Sequence, residues 1–207
     1  WLATTAGLCK YEGSLFSHAV PLGQDEIECI ESDHYGNIWV GSGVGPCLNK
    51  YDGISMSRYT TAQGFFNMGI NQIHEDRFGN IWFCSRDGVD KFDGKYITHY
   101  STKRGLVNGL VFCMLEDKKG NFWFGTEKGL SKFDGKRFTN YLVDQGLNEG
   151  AIYYLLEDHS GKLWMGTNTG GVCTIEGVSF THFDVANSLS HPMVLGMIED
   201  KNNDIWF

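Results

Sequence analysis

Prolines are scarce in this sequence, three among 207 residues, and it has no basic cluster. No apolar run approaches the roughly 20 residues that cross a bilayer as a helix. Together with 27 glycines, the shortage of proline suits many tight turns between short strands, and long helices are not expected. A formal charge of -8 without a basic patch would repel nucleic acid and anionic lipid, so neither nucleic-acid binding nor direct membrane insertion is expected. No Cys-x-x-Cys occurs, and the seven histidines are scattered without ligand spacing, so no metal and no cofactor are expected. No nucleophile triad or phosphate loop is visible either. What is present, 42% hydrophobic and 14% aromatic residues, is enough to bury a substantial core. Trp1 begins in mid-pattern without a basic leader, so any targeting signal is expected outside this stretch.

The tryptophans carry the organisation. Trp1, Trp39, Trp82, Trp123, Trp164 and Trp206 lie 38, 43, 41, 41 and 42 residues apart. An aspartate precedes each of the last five by six residues, at Asp33, Asp76, Asp117, Asp158 and Asp200. A Lys-aromatic-acid-Gly quartet follows, as in Lys50-Tyr51-Asp52-Gly53 and Lys132-Phe133-Asp134-Gly135; the fifth copy, Thr174-Ile175-Glu176-Gly177, lacks the lysine. Four strands of about six residues with four connections of about four fill one such period. The expected fold is therefore all-β, a β-propeller of four-stranded antiparallel blades with five sequence repeats. It would be either a closed five-bladed ring or part of a seven-bladed propeller. Residues 1–207 are expected to form a single propeller domain or a propeller fragment, cut within a blade at both ends, because Asp204-Ile205-Trp206-Phe207 enters the register at which Trp1 begins. With the strands lettered a to d, the apolar strand a (Val111 to Leu115, Ile152 to Leu156) is expected to be covered on both faces and to line the centre. Strand b carries the Trp, and the alternating strand d lies outermost. Trp39, Trp82, Trp123 and Trp164 are expected to be equivalent buried contacts between blades.

This text resembles the two-component regulator propeller repeat, whose pattern is Glu-Asp-x-x-Gly-Asn-aliphatic-Trp-aliphatic-Gly-Thr-x-x-Gly-Leu-x-Lys-Phe-Asp-Gly. Its best copies run from Glu116 to Gly135 and from Glu75 to Gly94; Cys84 replaces the usual Gly, and the Pro46 region departs from the pattern. The resemblance implies the extracytoplasmic sensor region of a bacterial hybrid histidine kinase or related signalling protein, hence a periplasmic or extracellular place, with a more distant likeness to streptogramin lyase blades.

Several motifs have structural readings. The Asp-x-x-Gly-Asn turn is too short for a calcium loop and reads as an a to b hairpin capped by Asp. Cys29 and Cys113 fall at equivalent strand a sites, Cys9 and Cys173 at equivalent strand c sites, too far apart to bridge, so these, Cys47 and Cys84 are expected to be free thiols. The recurrent lysine and the acids Glu75, Glu116, Glu157 and Glu199 read as solvated or blade-linking ion pairs.

Function is expected where the repeats differ. From Trp to the quartet's acid the spacing is 11, 13, 11, 11 and 12 residues, which places insertions at Gly43 to Pro46 and at Gly170-Gly171, in b to c loops. The first repeat is three residues short after Ala19, in the d to a connection. In a four-stranded meander both connections emerge on one face, and loops on a rigid scaffold carry binding. The candidate ligand residues there are Arg86, Asp87, Glu127, Lys128, Asn168, Thr169 and His191, with Asn71, Phe112 and Tyr153 at the inner strand mouths. Mixed charge, amide and aromatic groups suit a small polar, ring-bearing ligand such as a glycan. No catalytic residue is assigned. The alternatives are a streptogramin-lyase-like or polysaccharide-cleaving enzyme, for which His191 is the one candidate base, and a scaffold for a protein partner.

Overall fold

The computed structural model describes residues 1–4, 7–20, 27–43, 48–65, 69–177, 179–187 and 189–207. The insertion after Gly43, including Pro46 and Cys47, and most of the connection after Ala19 lie outside the described residues. Two compact units, Trp1–Tyr100 and Ser101–Phe207, divide the chain.

In the first unit, β1 (Leu2–Thr4), β2 (Gly7–Tyr11) and β3 (Phe16–Val20) form a three-stranded sheet. It is followed by the four-stranded sheets β4 (Ile27–Ser32), β5 (Ile38–Ser42), β6 (Leu48–Tyr51), β7 (Met56–Tyr59) and β8 (Ile70–Glu75), β9 (Ile81–Ser85), β10 (Gly88–Phe92), β11 (Ile97–Tyr100). The second unit has β12 (Val111–Glu116), β13 (Phe122–Thr126), β14 (Leu130–Phe133), β15 (Phe138–Tyr141), then β16 (Ile152–Glu157), β17 (Leu163–Thr167), β18 (Val172–Glu176), β19 (Ser179–Phe183). A two-stranded sheet of β20 (Ile198–Glu199) and β21 (Ile205–Trp206) ends it. Every sheet is an antiparallel meander in which neighbours in sequence pair, the a to d order of a propeller blade. The fold is all-β, as the repeat predicts, and the helices among the described residues are three-residue 3-10 turns.

Each a to b turn is held by its aspartate. Asp76 Oδ1 accepts from the amides of Phe78 and Asn80, and Oδ2 accepts from Asn80 Nδ2 at 2.8 Å and from Trp82 Nε1 at 2.9 Å. Asp33, Asp117, Asp158 and Asp200 receive the indole of their own tryptophan at 2.8 to 3.1 Å. The turn glycines, Gly36, Gly79, Gly120 and Gly161, take φ between 81° and 86°, where a side chain would be strained. Burial raises the carboxyl pKa values, but these hydrogen bonds outweigh it and hold Asp33, Asp76 and Asp117 below the usual carboxylate range and Asp158 at about 2.

Of the recurrent lysines Lys10 pairs with Glu12 of its own quartet at 2.6 Å, whereas the other three sit over tryptophans. Lys50, Lys91 and Lys132 are direct cross-strand neighbours of Trp39, Trp82 and Trp123, so both side chains leave the same face of the sheet. Each ammonium sits 5.0 to 5.3 Å from its indole centroid, a cation–π contact. A strand d aromatic stacks on the same tryptophan: Tyr59, Tyr100, Tyr141 and Phe183 lie 5.6 to 5.9 Å away at 17° to 27°. The acids instead bond the preceding blade's turn. Glu75 accepts the His34 amide at 2.8 Å and pairs with the imidazole, Glu157 accepts the Lys118 amide at 2.8 Å, and Glu199 accepts the His159 amide at 2.9 Å.

Apolar clusters fill the seams between sheets, Trp39 with Ile70, Ile73 and Phe83 in the first unit, Trp123 with Ile152, Leu155 and Met165 in the second. The strand buried along its whole length is b, as in β5, β9 and β13, and not a. Strand a is the edge of its sheet, bonded on one side only, and Tyr154 in β16 is 37% exposed. Trp39, Trp82 and Trp123 are buried, whereas Trp164 is half-buried, because the next sheet offers only two strands and Phe207 covers its ring from 6.1 Å. Among the described residues no cysteine is in a disulfide. Cys29 and Cys113 donate across the seam to the carbonyls of Ile70 and Ile152 at 3.6 and 3.5 Å. A Cβ on Gly41, opposite Cys29, would lie 2.7 Å from that sulfur. In β9 the glycine's place is taken by Cys84, opposite Gln72 of strand a.

Replacement of Asp76 by Ala strands the buried Trp82 N–H and is expected to cost about 1–3 kcal/mol. Trp39→Ala is expected to cost about 3–5 kcal/mol and Trp164→Ala clearly less. Because the clamp carboxyls titrate below their unfolded value of about 4, their contribution is complete above that pH and is lost as pH falls towards 2. Urea midpoints measured from pH 7 to 2 should therefore drop below pH 4, and less steeply in Asp76→Ala.

Candidate functional site

The b to c loops and the d to a segments do share a face within each unit. The d to a segment starts with a 3-10 turn and ends it on a left-handed glycine, Gly64, Gly105 or Gly146, followed by a buried Phe65, Leu106 or Leu147. That buried residue brings the chain back over its blade, to the b to c loop. Glu127 donates its amide to Leu110 O, Asn168 to Ala151 O, Gly171 to Pro192 O and Val194 to Thr167 O, all at 2.9 to 3.0 Å. The last residue of strand b pivots the loop: Ser85, Thr126 and Thr167 hydroxyls donate to the carbonyls of Gly88, Gly129 and Gly171.

Strand a enters this face through a β-bulge in each complete blade. The ladder skips one residue between Ile27 and Cys29, Ile70 and Gln72, Val111 and Cys113, and Ile152 and Tyr154. The skipped residues are Glu28, Asn71, Phe112 and Tyr153. A bulge leaves its extra residue out of the ladder and re-aims its side chain. The preceding residue stays a β-branched aliphatic, Ile27, Ile70, Val111 or Ile152, and the register holds while this position carries an acid, an amide or an aromatic ring, a regularity that counting loop lengths did not expose for Glu28.

In the first unit, Arg86 and Asp87 are exposed, and the Arg86 guanidinium lies against Gly69, where a Cβ would be 3.1 Å from Nε. Glu28 packs over Gly43. In the second unit, Phe112 and Tyr153 meet edge to face, 4.6 Å between centroids at 71°. Glu127 and Lys128 are exposed, the Lys128 amide bonding Thr126 Oγ1. Asn168 is half-buried and spends its Oδ1 on the Ala151 amide at 2.8 Å, a loop-shaping contact. Thr169 is exposed; so is His191, whose Nδ1 accepts from the Met193 amide at 3.1 Å. That bond occupies the nitrogen a general base would need free.

A cavity of about 390 Å³ opens beside Thr169 and Gly170, lined also by Asn148, Glu149, Asp184 and Pro192. Of these Asn148, Glu149 and Asp184 were missed by sequence reading. Asn148 is buried; its Nδ2 donates to Gly170 O at 2.5 Å and Val172 O at 3.3 Å, and its Oδ1 meets His182 Nδ1. The signal for it was present, since Asn148 stands where the preceding repeat has Val107.

The family model described as "Two component regulator propeller" matches residues 105–128 and 146–169. Each match runs from the left-handed glycine through strands a and b to the b to c loop, so these two repeats are of that type. No curated protein matches the sequence. Among solved structures, the chain is similar to the extracellular domain of a protein assigned to a hybrid two component system of B. thetaiotaomicron, at 24% identity and TM-score 0.72, covering 91% of this chain and 27% of that one. A second such extracellular domain from B. thetaiotaomicron matches at 18% identity and TM-score 0.69, over 100% and 34%. A streptogramin B lyase matches at 17% identity and TM-score 0.75, over 98% and 69%. At these identities the likeness is one of fold, and the chain spans about a quarter to a third of the first structures it matches.

Asn148→Val, which restores the residue type of the preceding repeat, frees two loop carbonyls and is expected to cost about 1–3 kcal/mol. Hydrogen exchange should show the amides of Gly170 and Gly171 losing protection while those of β13 keep theirs.

Proposed function

We infer that this chain, built of two component regulator propeller repeats, is the ligand-binding part of a bacterial sensor region. It acts outside the cytoplasm and binds a small polar, ring-bearing ligand of the glycan type on its b to c and d to a face. The observation that carries the reading is the bulge position. Glu28, Asn71, Phe112 and Tyr153 differ in charge, amide and aromatic character at one backbone site whose surroundings repeat. The Phe112–Tyr153 pair supplies an aromatic surface, and Thr169, Glu149 and Asp184 supply hydroxyl and carboxylate groups beside a cavity. Such a mixture of a few polar groups with rings is what holds and orients small ligands. The extracellular domains with this fold support the location and the signalling role. A fold alone does not assign a ligand, and the fold is shared with a lyase.

Calorimetric titration of the chain with a panel of soluble oligosaccharides tests the reading. Tyr153→Ala and Thr169→Ala should each weaken a binding oligosaccharide by about tenfold, the loss of roughly one good contact, with the melting temperature unchanged. Tyr35→Ser and Phe78→Ser, exposed in a to b turns on the other side, serve as controls and should leave affinity intact. Equal losses in both sets, or a panel that binds nowhere, would sink it.

A further inference from the structure

A second cavity of the 101–207 unit lies in the seam between sheets β12–β15 and β16–β19, on the side of the a to b and c to d turns. Its volume is about 330 Å³, and its walls include Lys119, Trp123, Lys132, Glu157, Lys162 and Glu176. The walls break the repeat. Lys162 stands where Asn37, Asn80 and Asn121 clamp their aspartates. In its turn Ser160 Oγ donates to Asp158 Oδ1 at 2.6 Å instead, so the clamp holds without a side chain from residue 162. Lys119 occupies the position of Tyr35 and Phe78, and Ile175 that of Phe92 and Phe133, a smaller side chain that leaves room in the seam.

The charges of the seam are unevenly committed. The Asp117 carboxylate accepts from Asn121, Trp123 and the Lys119 amide, Glu157 accepts the Lys118 amide, and Lys132 lies over Trp123. The Lys119 and Lys162 ammonium groups have no hydrogen bond or ion pair among the described residues, and of the cavity's carboxylates Glu176 is the exposed one. Two uncommitted cations reaching one concavity from two blades are suited to an anion, whose oxygens would accept charge-assisted hydrogen bonds from both.

We propose that this seam is a second binding site, which takes a small ligand by an oxyanion group, carboxylate, sulfate or phosphate, held between Lys119 and Lys162. It is independent of the loop-face reading, since it shares no residue with that face. Titration of the chain with acetate, sulfate and inorganic phosphate, at an ionic strength fixed with chloride, tests it through amide shifts in nuclear magnetic resonance spectra. At least one of the three should give saturable shifts confined to Lys119, Gly161 and Gly177, and the strongest of them identifies the oxyanion. Lys162→Asn, which restores the repeat's own clamp residue, and Lys119→Ser should each weaken it by about tenfold or more, one lost charge-assisted bond. Lys136→Ala, in an exposed c to d turn outside the cavity, should change nothing. Shifts that fail to saturate, that chloride reproduces, or that persist undiminished in Lys162→Asn and Lys119→Ser overturn the proposal.

Discussion

The carboxylate of the a to b turn is the contact on which the rest of each blade depends. One aspartate closes the turn by accepting its amides and fixes the indole six residues on, as Asp76 does for Trp82 at 2.9 Å. With the indole N–H satisfied, the ring can be buried without an orphaned donor, whose cost would otherwise oppose the packing. The ring then fixes two further groups, the strand c lysine above it and the strand d aromatic stacked on it. A local turn is thus coupled to all four strands, and the tryptophan's remaining surface goes to the neighbouring blade, as with Trp39 against Phe83.

The same logic orders the seams. Within the two units Glu75, Glu157 and Glu199 each accept a turn amide of the preceding blade, and Cys29 and Cys113 bond a strand a carbonyl of the following one. Burial drives the Cys29 thiol up to about 12, so it stays protonated and serves as donor and filler and not as a nucleophile. These links are short and satisfied, and they recur at equivalent places. That repetition frees the opposite end of the sheet to vary.

Much of this was legible in the residues and some was not. The tryptophan period and the aspartate six residues before it are local regularities, and they carried the four-stranded blade and the turn geometry. The identity of the contacts was not local. Lys132 and Glu157 look like ion-pair partners in the text, yet the lysine is cross-strand from Trp123 and the glutamate faces the preceding turn, and only strand register separates the two. The site was half legible for a similar reason. Loop-length differences pointed to Gly170-Gly171 and so to Thr169, but Asn148 acts through space on a loop 22 residues away. The bulge needs a comparison of ladders, not of lengths, which is why Glu28 was not singled out beside Asn71, Phe112 and Tyr153.

The bulge also explains how one scaffold can carry unrelated sites without losing stability. A substitution at a paired strand position alters a cross-strand contact and a seam together, as at Gly41, where a Cβ would meet both the opposite Cys29 and Ile70 of the next blade. A residue outside the ladder has no opposite partner in it: its neighbours keep their register whether it is Glu28, Asn71, Phe112 or Tyr153. Chemistry can therefore change there at little cost to the fold, while the clamp at the other end of the blade bears the stability. The same separation holds for the second seam, where Ser160 takes over the work of the missing asparagine side chain and leaves that of Lys162 out of the clamp, while the Lys162 backbone still closes the turn. In both places a side chain becomes available for a ligand because another group has already satisfied the backbone around it.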